Sequence, residues 1–328
     1  MSLKHFLSLF ILIVVAFFGP SLWAEELNVY FKTTPRQELL RPSADPIDLS
    51  LLITGPDGRP IKQGSVAVRF DAPPPGRFFS TDIPLVEGTL LSEMQLPLRQ
   101  GRANWKQLFP IRGNYRLIVN VVASDGTQAS KTFTFSVREH RLKWLALTAF
   151  SAGLFLLGFV AGRVFTGARG SAVLVVQAAA IFAGSIGICG AQQAGPAVLE
   201  MEPATVGRPS VVRWKLTGDG NVDVAPTAVL SLTITHLEKQ KVVFAVEKIA
   251  VPGQWSVNFH FPDGAEYRVA TLANVAGKGF VRNEQVMTVT GVEPPVTATV
   301  PVLSCFTALI AAGLGVGRWS KRRGATQP

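Results

Sequence analysis

Residue types that carry chemistry are scarce in this chain. Its 328 residues include two cysteines, four histidines, four methionines and three tyrosines. Both cysteines, Cys189 and Cys305, fall inside apolar runs, so the polar stretches hold neither a disulfide framework nor a structural zinc site. The histidines (His5, His140, His236 and His260) form no HExxH pair. No GxSxG elbow, phosphate loop or dinucleotide fingerprint occurs. Asp219-Gly-Asn-Val-Asp223 opens like a calcium loop but has Val224 and Leu230 where such a loop needs Gly and Glu, so it reads as a polar turn. These absences argue against an enzyme and against a resident cofactor.

Charge is also low, at 16% of residues, although the net value is +10. Residues 25–143 hold 16 Lys/Arg against 12 Asp/Glu, and residues 192–299 hold 9 against 10. The rest of the excess flanks apolar runs, where membrane orientation accounts for it, so a nucleic-acid partner is not expected.

Long apolar runs are abundant. Trp144 to Gly162 is 19 residues without a charge, and Ser171 to Gly190 is 20. Each is long enough to cross about 30 Å of hydrocarbon as a helix. Val300 to Gly317 is a third such run, followed by the basic tail 318–328. Residues 1–24 have the parts of a secretory signal: Lys4, the apolar stretch Phe6 to Phe18, a Gly19-Pro20 break and Ala24 at the cleavage position. The expected topology puts residues 25–141 and 195–293 outside the bacterial inner membrane. Helices at 144–162, 171–190 and 300–317 cross it, and the loop 163–170 and the tail lie inside. Arg138, Arg141 and Lys143 sit on the outer side and oppose that scheme, but the tail and the loop outvote them. Pairs of small residues four apart (Gly158 and Gly162, Ala180 and Gly184, Gly313 and Gly317) let helix backbones approach closely in lipid. Cys189 and Cys305 lie at similar depth, which makes a disulfide between them a candidate.

Both polar stretches read as antiparallel β-sandwiches of immunoglobulin type. Leu49, Leu51 and Ile53 alternate, Pro56-Asp57-Gly58 turns, and Tyr115 to Val122 is a β-branched run returned by Ser124-Asp125-Gly126. The stretches also share an ordered set of matches. Leu230-Ser-Leu-Thr-Ile-Thr235 matches Leu49-Ser-Leu-Leu-Ile-Thr54. Phe261-Pro262 with Tyr267 matches Phe109-Pro110 with Tyr115, behind Trp255 and Trp105. A tandem duplication of a sandwich plus a helix is therefore expected, with about 29 extra residues in the first copy. That excess holds a proline-rich excursion, 71–93, whose Arg77-Phe78-Phe79 is the candidate partner-binding segment.

The run Asp57-Gly-Arg-Pro-Ile-Lys-Gln-Gly-Ser-Val66, with the later Phe-Pro-x4-Tyr-Arg-Leu-x-Val119, resembles the exported sandwich domains of the YtkA-like and FixH-like families. The resemblance implies an immunoglobulin-like fold at the membrane, with copper handling or respiratory-oxidase assembly as the family setting. Those families' metal positions have no counterpart here. The expected role is a non-enzymatic, membrane-anchored periplasmic binding or accessory protein. Its expected partners are the lipid bilayer and membrane-embedded or periplasmic proteins. The alternative is a copper delivery or respiratory-complex assembly factor, for which His236, His260, Met201 and Met287 are the candidate ligands. Alternation places His260 opposite Phe259 and Phe261, and so on a solvated face.

Overall fold

The computed structural model describes residues 27–76, 79–165, 197–217, 227–276 and 279–324. The signal segment 1–24, Arg77 and Phe78, the apolar run 171–190 with Cys189, and the turn Asp219 to Asp223 lie outside the described residues.

The described chain is mostly antiparallel sheet, with one apolar helix after each of two sets of seven strands. The first set is β1 (Asn28–Thr34), β2 (Ile47–Thr54), β3 (Gln63–Asp71), β4 (Leu90–Arg99), β5 (Arg102–Gln107), β6 (Gly113–Ala123) and β7 (Gln128–Val137). Helix α1 (Arg141–Val164) follows. The second set is β8 (Ala197–Met201), β9 (Pro209–Leu216), β10 (Thr227–His236), β11 (Lys241–Pro252), β12 (Gln254–His260), β13 (Glu266–Val275) and β14 (Gly279–Thr288), followed by α2 (Val296–Gly324). The alternation read from the sequence sets the faces: Leu49, Leu51 and Ile53 are all buried, with Ser50 and Leu52 half-buried between them.

Within the first set, β1-β2-β5 form one layer and β4-β3-β6-β7 the other. The second set repeats that order as β8-β9-β12 and β11-β10-β13-β14. Aromatic side chains bridge the layers: Phe70 of β3 meets Trp105 of β5 at 5.9 Å, and Phe244 of β11 meets Phe259 of β12 at 5.5 Å.

This order corrects the register of the sequence match. Leu49 to Thr54 is β2, whose counterpart is β9, whereas Leu230 to Thr235 is β10, the counterpart of β3. The two segments look alike because any half-buried strand needs alternating aliphatic and small polar residues. The other match falls on equivalent strands. Trp105 and Trp255 lie on β5 and β12, and Tyr115 and Tyr267 lie on β6 and β13. Each tyrosine hydroxyl reaches back four residues: Tyr115 donates to the Ile111 carbonyl at 2.7 Å, and Tyr267 donates to Asp263. Such a tyrosine ties the loop before its strand onto the sandwich end. The corrected register also shortens the excess in the first set. Residues 72–89 join β3 to β4, whereas residues 237–240 join β10 to β11.

The two sets are joined by their edges. β5 pairs with β11 through Trp105↔Val246, Lys106↔Ala245 and Gln107↔Phe244. β4 pairs with β12 through Ser92↔Phe259, Glu93↔Asn258 and Met94↔Val257. Each layer therefore runs through both sets, and one hydrophobic core continues across the boundary. The strands that would have been bare edges of separate sandwiches pair with each other instead. Side chains reinforce the seam: the Asn258 amide donates to Glu93 at 3.1 Å, and the Lys106 ammonium lies 3.2 Å from Glu247.

The helices run parallel. Phe150 meets Phe306 at 5.3 Å near their starts, and Lys321 donates to the Arg163 carbonyl near their ends. Between these contacts, Gly158 and Gly162 face the carbonyl oxygens of Ile310 and Leu314, while Gly313 and Gly317 face those of Phe155 and Phe159. A methyl group on any of the four would collide with backbone. The expected glycine pairs are thus the contact surface, and Leu145, Leu156, Leu157, Val160 and Leu303 point outward. A soluble helix pair would bury its leucines and expose polar groups. Both helices are long and apolar enough to cross a membrane. They exceed the runs read from sequence at both ends. Arg318, Lys321, Arg322 and Arg323 lie in the last turns of α2, where cations complement the helix dipole.

Candidate binding site

The long β3–β4 excursion builds two sites: a junction with the second set, and a pocket at the foot of α1. Asp71 anchors its start. The buried carboxylate accepts from Arg69 at 3.0 Å and from Arg116 at 3.0 and 2.7 Å. The ends are then laced together, with the Ala72 amide donating to Thr89 and the Gly88 amide to Pro73, both at 2.8 Å. Pro73 lies against Gly113, whose φ of 133° and lack of Cβ are both required, because a side chain there would overlap the proline ring.

The pocket has a volume of about 780 Å³. Pro73, Gly76 and Phe79 of the excursion form one wall. Arg112 and Asn114 form another, and Arg138, Arg141 and Trp144 close the floor where β7 passes into α1. Arg41 reaches the rim, fixed by its hydrogen bond to the Leu40 carbonyl at 2.8 Å. His140 caps α1 by accepting from the Leu142 amide at 3.2 Å. The Arg112 guanidinium stacks over the Trp144 ring at 5.1 Å and lies 4.0 Å from Glu139. Lys143 pairs with Glu139 at 3.2 Å and also with Asp82 of the excursion. The Glu139 carboxylate is therefore neutralised from two sides. Arg138 and Arg141 are exposed and have no ion-pair partner among the described residues. Of the candidate segment, Phe79 is described: it is 48% exposed and borders this pocket.

At the junction the excursion covers the second set. Val86 is fully buried in the shared core, Leu85 packs on Gly207, and Ile83 lines a cleft with Leu108, His236, Lys239, Val243 and Asp263. His260 lies beneath this cover and is buried, not solvated as alternation implied. Its Nε2 accepts from the Gly207 amide at 3.2 Å, and its Nδ1 is 3.0 Å from the Thr89 hydroxyl. With Nε2 accepting, the ring proton sits on Nδ1 and points at Thr89. Burial lowers its pKa to about 4, so the ring is neutral at neutral pH. Along the outward face of β12, Gln254 and Ser256 stay exposed and Asn258 is half-buried, and only His260 at the strand end is covered by residues distant in sequence.

His236 is also buried, its ring tilted against that of Tyr267 with centroids 4.9 Å apart. Its Nδ1 accepts from the Lys239 amide, and Nε2 faces Asp263, both at 3.3 Å. Burial alone would raise the Asp263 pKa. Lys239, the Tyr267 hydroxyl and His236 together hold it below the usual carboxylate value. Met287 lies opposite Tyr267 on β14, and Met201 lies opposite Val212 on β8. No group of three or more His, Cys, Asp or Glu among the described residues has a metal-binding arrangement. Cys305 is half-buried on α2 and forms no disulfide with any described residue.

No protein-family model and no curated protein matches the chain. Similar solved structures include the soluble domain of PmoD from Methylocystis sp. ATCC 49242 (Rockwell), at 13% identity over 34% of this chain and 90% of that one, with a TM-score of 0.24. CopC from Methylosinus trichosporium OB3b is 18% identical over 30% of this chain and 98% of that one, with a TM-score of 0.23. The Yersinia pseudotuberculosis adhesin InvE is 10% identical over 80% of this chain and 60% of that one, also with a TM-score of 0.23. All three scores are below 0.5, so the functional reading rests on this chain's own residues.

The arginines of the pocket were visible in the sequence only as charges on the wrong side of a membrane helix. The usable signal was their clustering immediately before an apolar run that opens with tryptophan. Arg112, some thirty residues upstream, carried no such signal, because only the fold brings it over Trp144.

Proposed function

We propose that this chain is a non-enzymatic, membrane-anchored binding or accessory protein that holds partners at the outer face of the bacterial inner membrane. The observation that carries the reading is the joining of two strand sets into one body by β5–β11 and β4–β12, attached to a glycine-packed helix pair with outward-facing leucines. A body so joined has a fixed shape over its membrane stem, which suits presentation of a surface more than closure around a substrate. The identical strand order supports a tandem duplication of an immunoglobulin-type unit plus helix. Parallel α1 and α2 support three crossings, because the chain must return from the end of α1 to β8 before α2 can run in the same direction. In this reading 171–190 is the returning crossing, both strand sets are periplasmic, and residues 1–24 are the signal. Arg77-Phe78-Phe79, on the long excursion, is the segment that meets a protein partner.

Cross-linking in native membranes with identification of the captured proteins tests this reading. A chain carrying Arg77→Ala and Phe79→Ala is expected to insert normally but lose a specific cross-linked partner. An unchanged set of partners counts against the docking segment. A reporter fused after Gly195 that is active only in the cytoplasm counts against the topology.

A further inference from the structure

We propose that the pocket at the foot of α1 binds the phosphate of an anionic phospholipid in the leaflet facing the β body. This rests on the reading of α1 as a membrane crossing. Four arginines (Arg41, Arg112, Arg138 and Arg141) line the pocket against two carboxylates, Glu38 and Glu139, and Glu139 is already held by Lys143 and Arg112. Arg138 and Arg141 keep their guanidinium donors uncommitted to any described carboxylate. A guanidinium presents a planar fork that matches two phosphate oxygens, and it does so most strongly beside a low-dielectric phase.

The position of the pocket selects the source of that phosphate. Its floor is the first turn of α1. Leu142 and Leu145 expose 66% and 64% of their surface immediately there, so acyl-chain depth begins where the arginines end. Trp144, stacked under Arg112, is the aromatic residue that settles at a membrane interface. Phe79 gives the opposite wall an apolar surface suited to a glycerol backbone. The volume of about 780 Å³ admits a headgroup, not merely an ion. Two of the outer-side cations that conflict with the charge rule, Arg138 and Arg141, become a recognition element, since a lipid phosphate compensates them locally.

The test uses the full chain in lipid nanodiscs containing phosphatidylcholine with or without phosphatidylglycerol. Native mass spectrometry after release reads the fraction of chain that retains each lipid. The unaltered chain is expected to retain phosphatidylglycerol over phosphatidylcholine. Replacing Arg138→Gln and Arg141→Gln together is expected to reduce that preference on the order of 30-fold. Both residues are exposed, so thermal unfolding should be unchanged. Arg138→Lys with Arg141→Lys should retain part of the preference, because charge survives and the fork does not. Arg208→Gln with Arg213→Gln, on the second strand set, should leave it intact. Equal retention by the Gln pair, or equal loss in the Arg208/Arg213 pair, overturns the proposal in favour of a diffuse field. Displacement of the lipid by inorganic phosphate alone at millimolar concentration overturns the lipid source in favour of a soluble phosphate. A chain that stays out of the nanodiscs overturns the membrane reading itself, and the lipid source with it.

Discussion

The indole N–H of Trp255 donates to the carbonyl oxygen of Gln95 at 2.8 Å, across the boundary between the two strand sets. The acceptor belongs to β4 and the donor to β12, beside the rungs that pair those strands. The two sets should therefore unfold as one unit. A single cooperative transition is expected in denaturant, and Trp255→Phe should lower its free energy by about 1 kcal/mol without splitting it. Two separate transitions in the unaltered protein would show that the seam does not couple the sets.

The helix pair makes a sharper prediction. Gly158→Leu or Gly313→Leu forces a side chain into facing backbone, so the helices must separate. With Cys305→Ser as background, Phe150→Cys and Phe306→Cys should cross-link readily, since those rings sit 5.3 Å apart. Adding Gly158→Leu should abolish the cross-link while membrane insertion persists. Undiminished cross-linking would rule out the glycine contact.

His260 gives a pH dependence whose sign is fixed. Its folded pKa, about 4, lies below the unfolded value of 6.5. The stability it contributes is complete above about pH 6.5 and is lost as pH falls toward 4, because the unfolded chain takes up the proton first. The loss amounts to about 3 kcal/mol at full effect. The imidazole resonances of His260 should stay in the neutral position at pH 5.5, and His260→Asn should flatten the acid limb of the stability curve. Titration of that ring near 6.5 would show that the β3–β4 cover opens in solution.

Much of the fold was legible because strand alternation is local. Asp48 to Thr54, the Gly58 and Gly126 turns and the Gly158/Gly162 spacing were all readable from neighbours in sequence. What failed was non-local. The likeness of Leu49–Thr54 to Leu230–Thr235 reflects what any half-buried strand requires, whereas the Trp, Phe-Pro and Tyr pattern reflects a particular loop geometry and identified equivalent strands. His260 was read as solvated because its cover, Thr89 and Leu85, comes from the other strand set. The pocket at α1 needed Arg112 and Phe79, and neither is near Trp144 in sequence.

The tyrosine ties should be costly to break. Tyr115→Phe leaves the Ile111 carbonyl without its 2.7 Å donor inside a buried cluster with Phe109 and Phe135, a loss of about 1–3 kcal/mol in chemical denaturation. A change below about 0.3 kcal/mol would show that water replaces the hydroxyl.

Copper should not stabilise the protein. His260 spends its one ring acceptor on Gly207, and His236 spends its own on Lys239. Cupric or cuprous ion added at stoichiometric amounts is expected to leave the melting temperature unchanged. A rise abolished by His236→Ala would reopen metal delivery as a role.

The crossed pairing of β4 with β12 and β5 with β11 has a consequence for biosynthesis. The first seven strands leave the ribosome, and α1 after them, well before β11 and β12 exist. Throughout that interval β4 and β5 display open backbone donors and acceptors to any passing extended chain. A fragment that ends between α1 and β11 therefore lacks the partners of both strands and carries two open sheet edges.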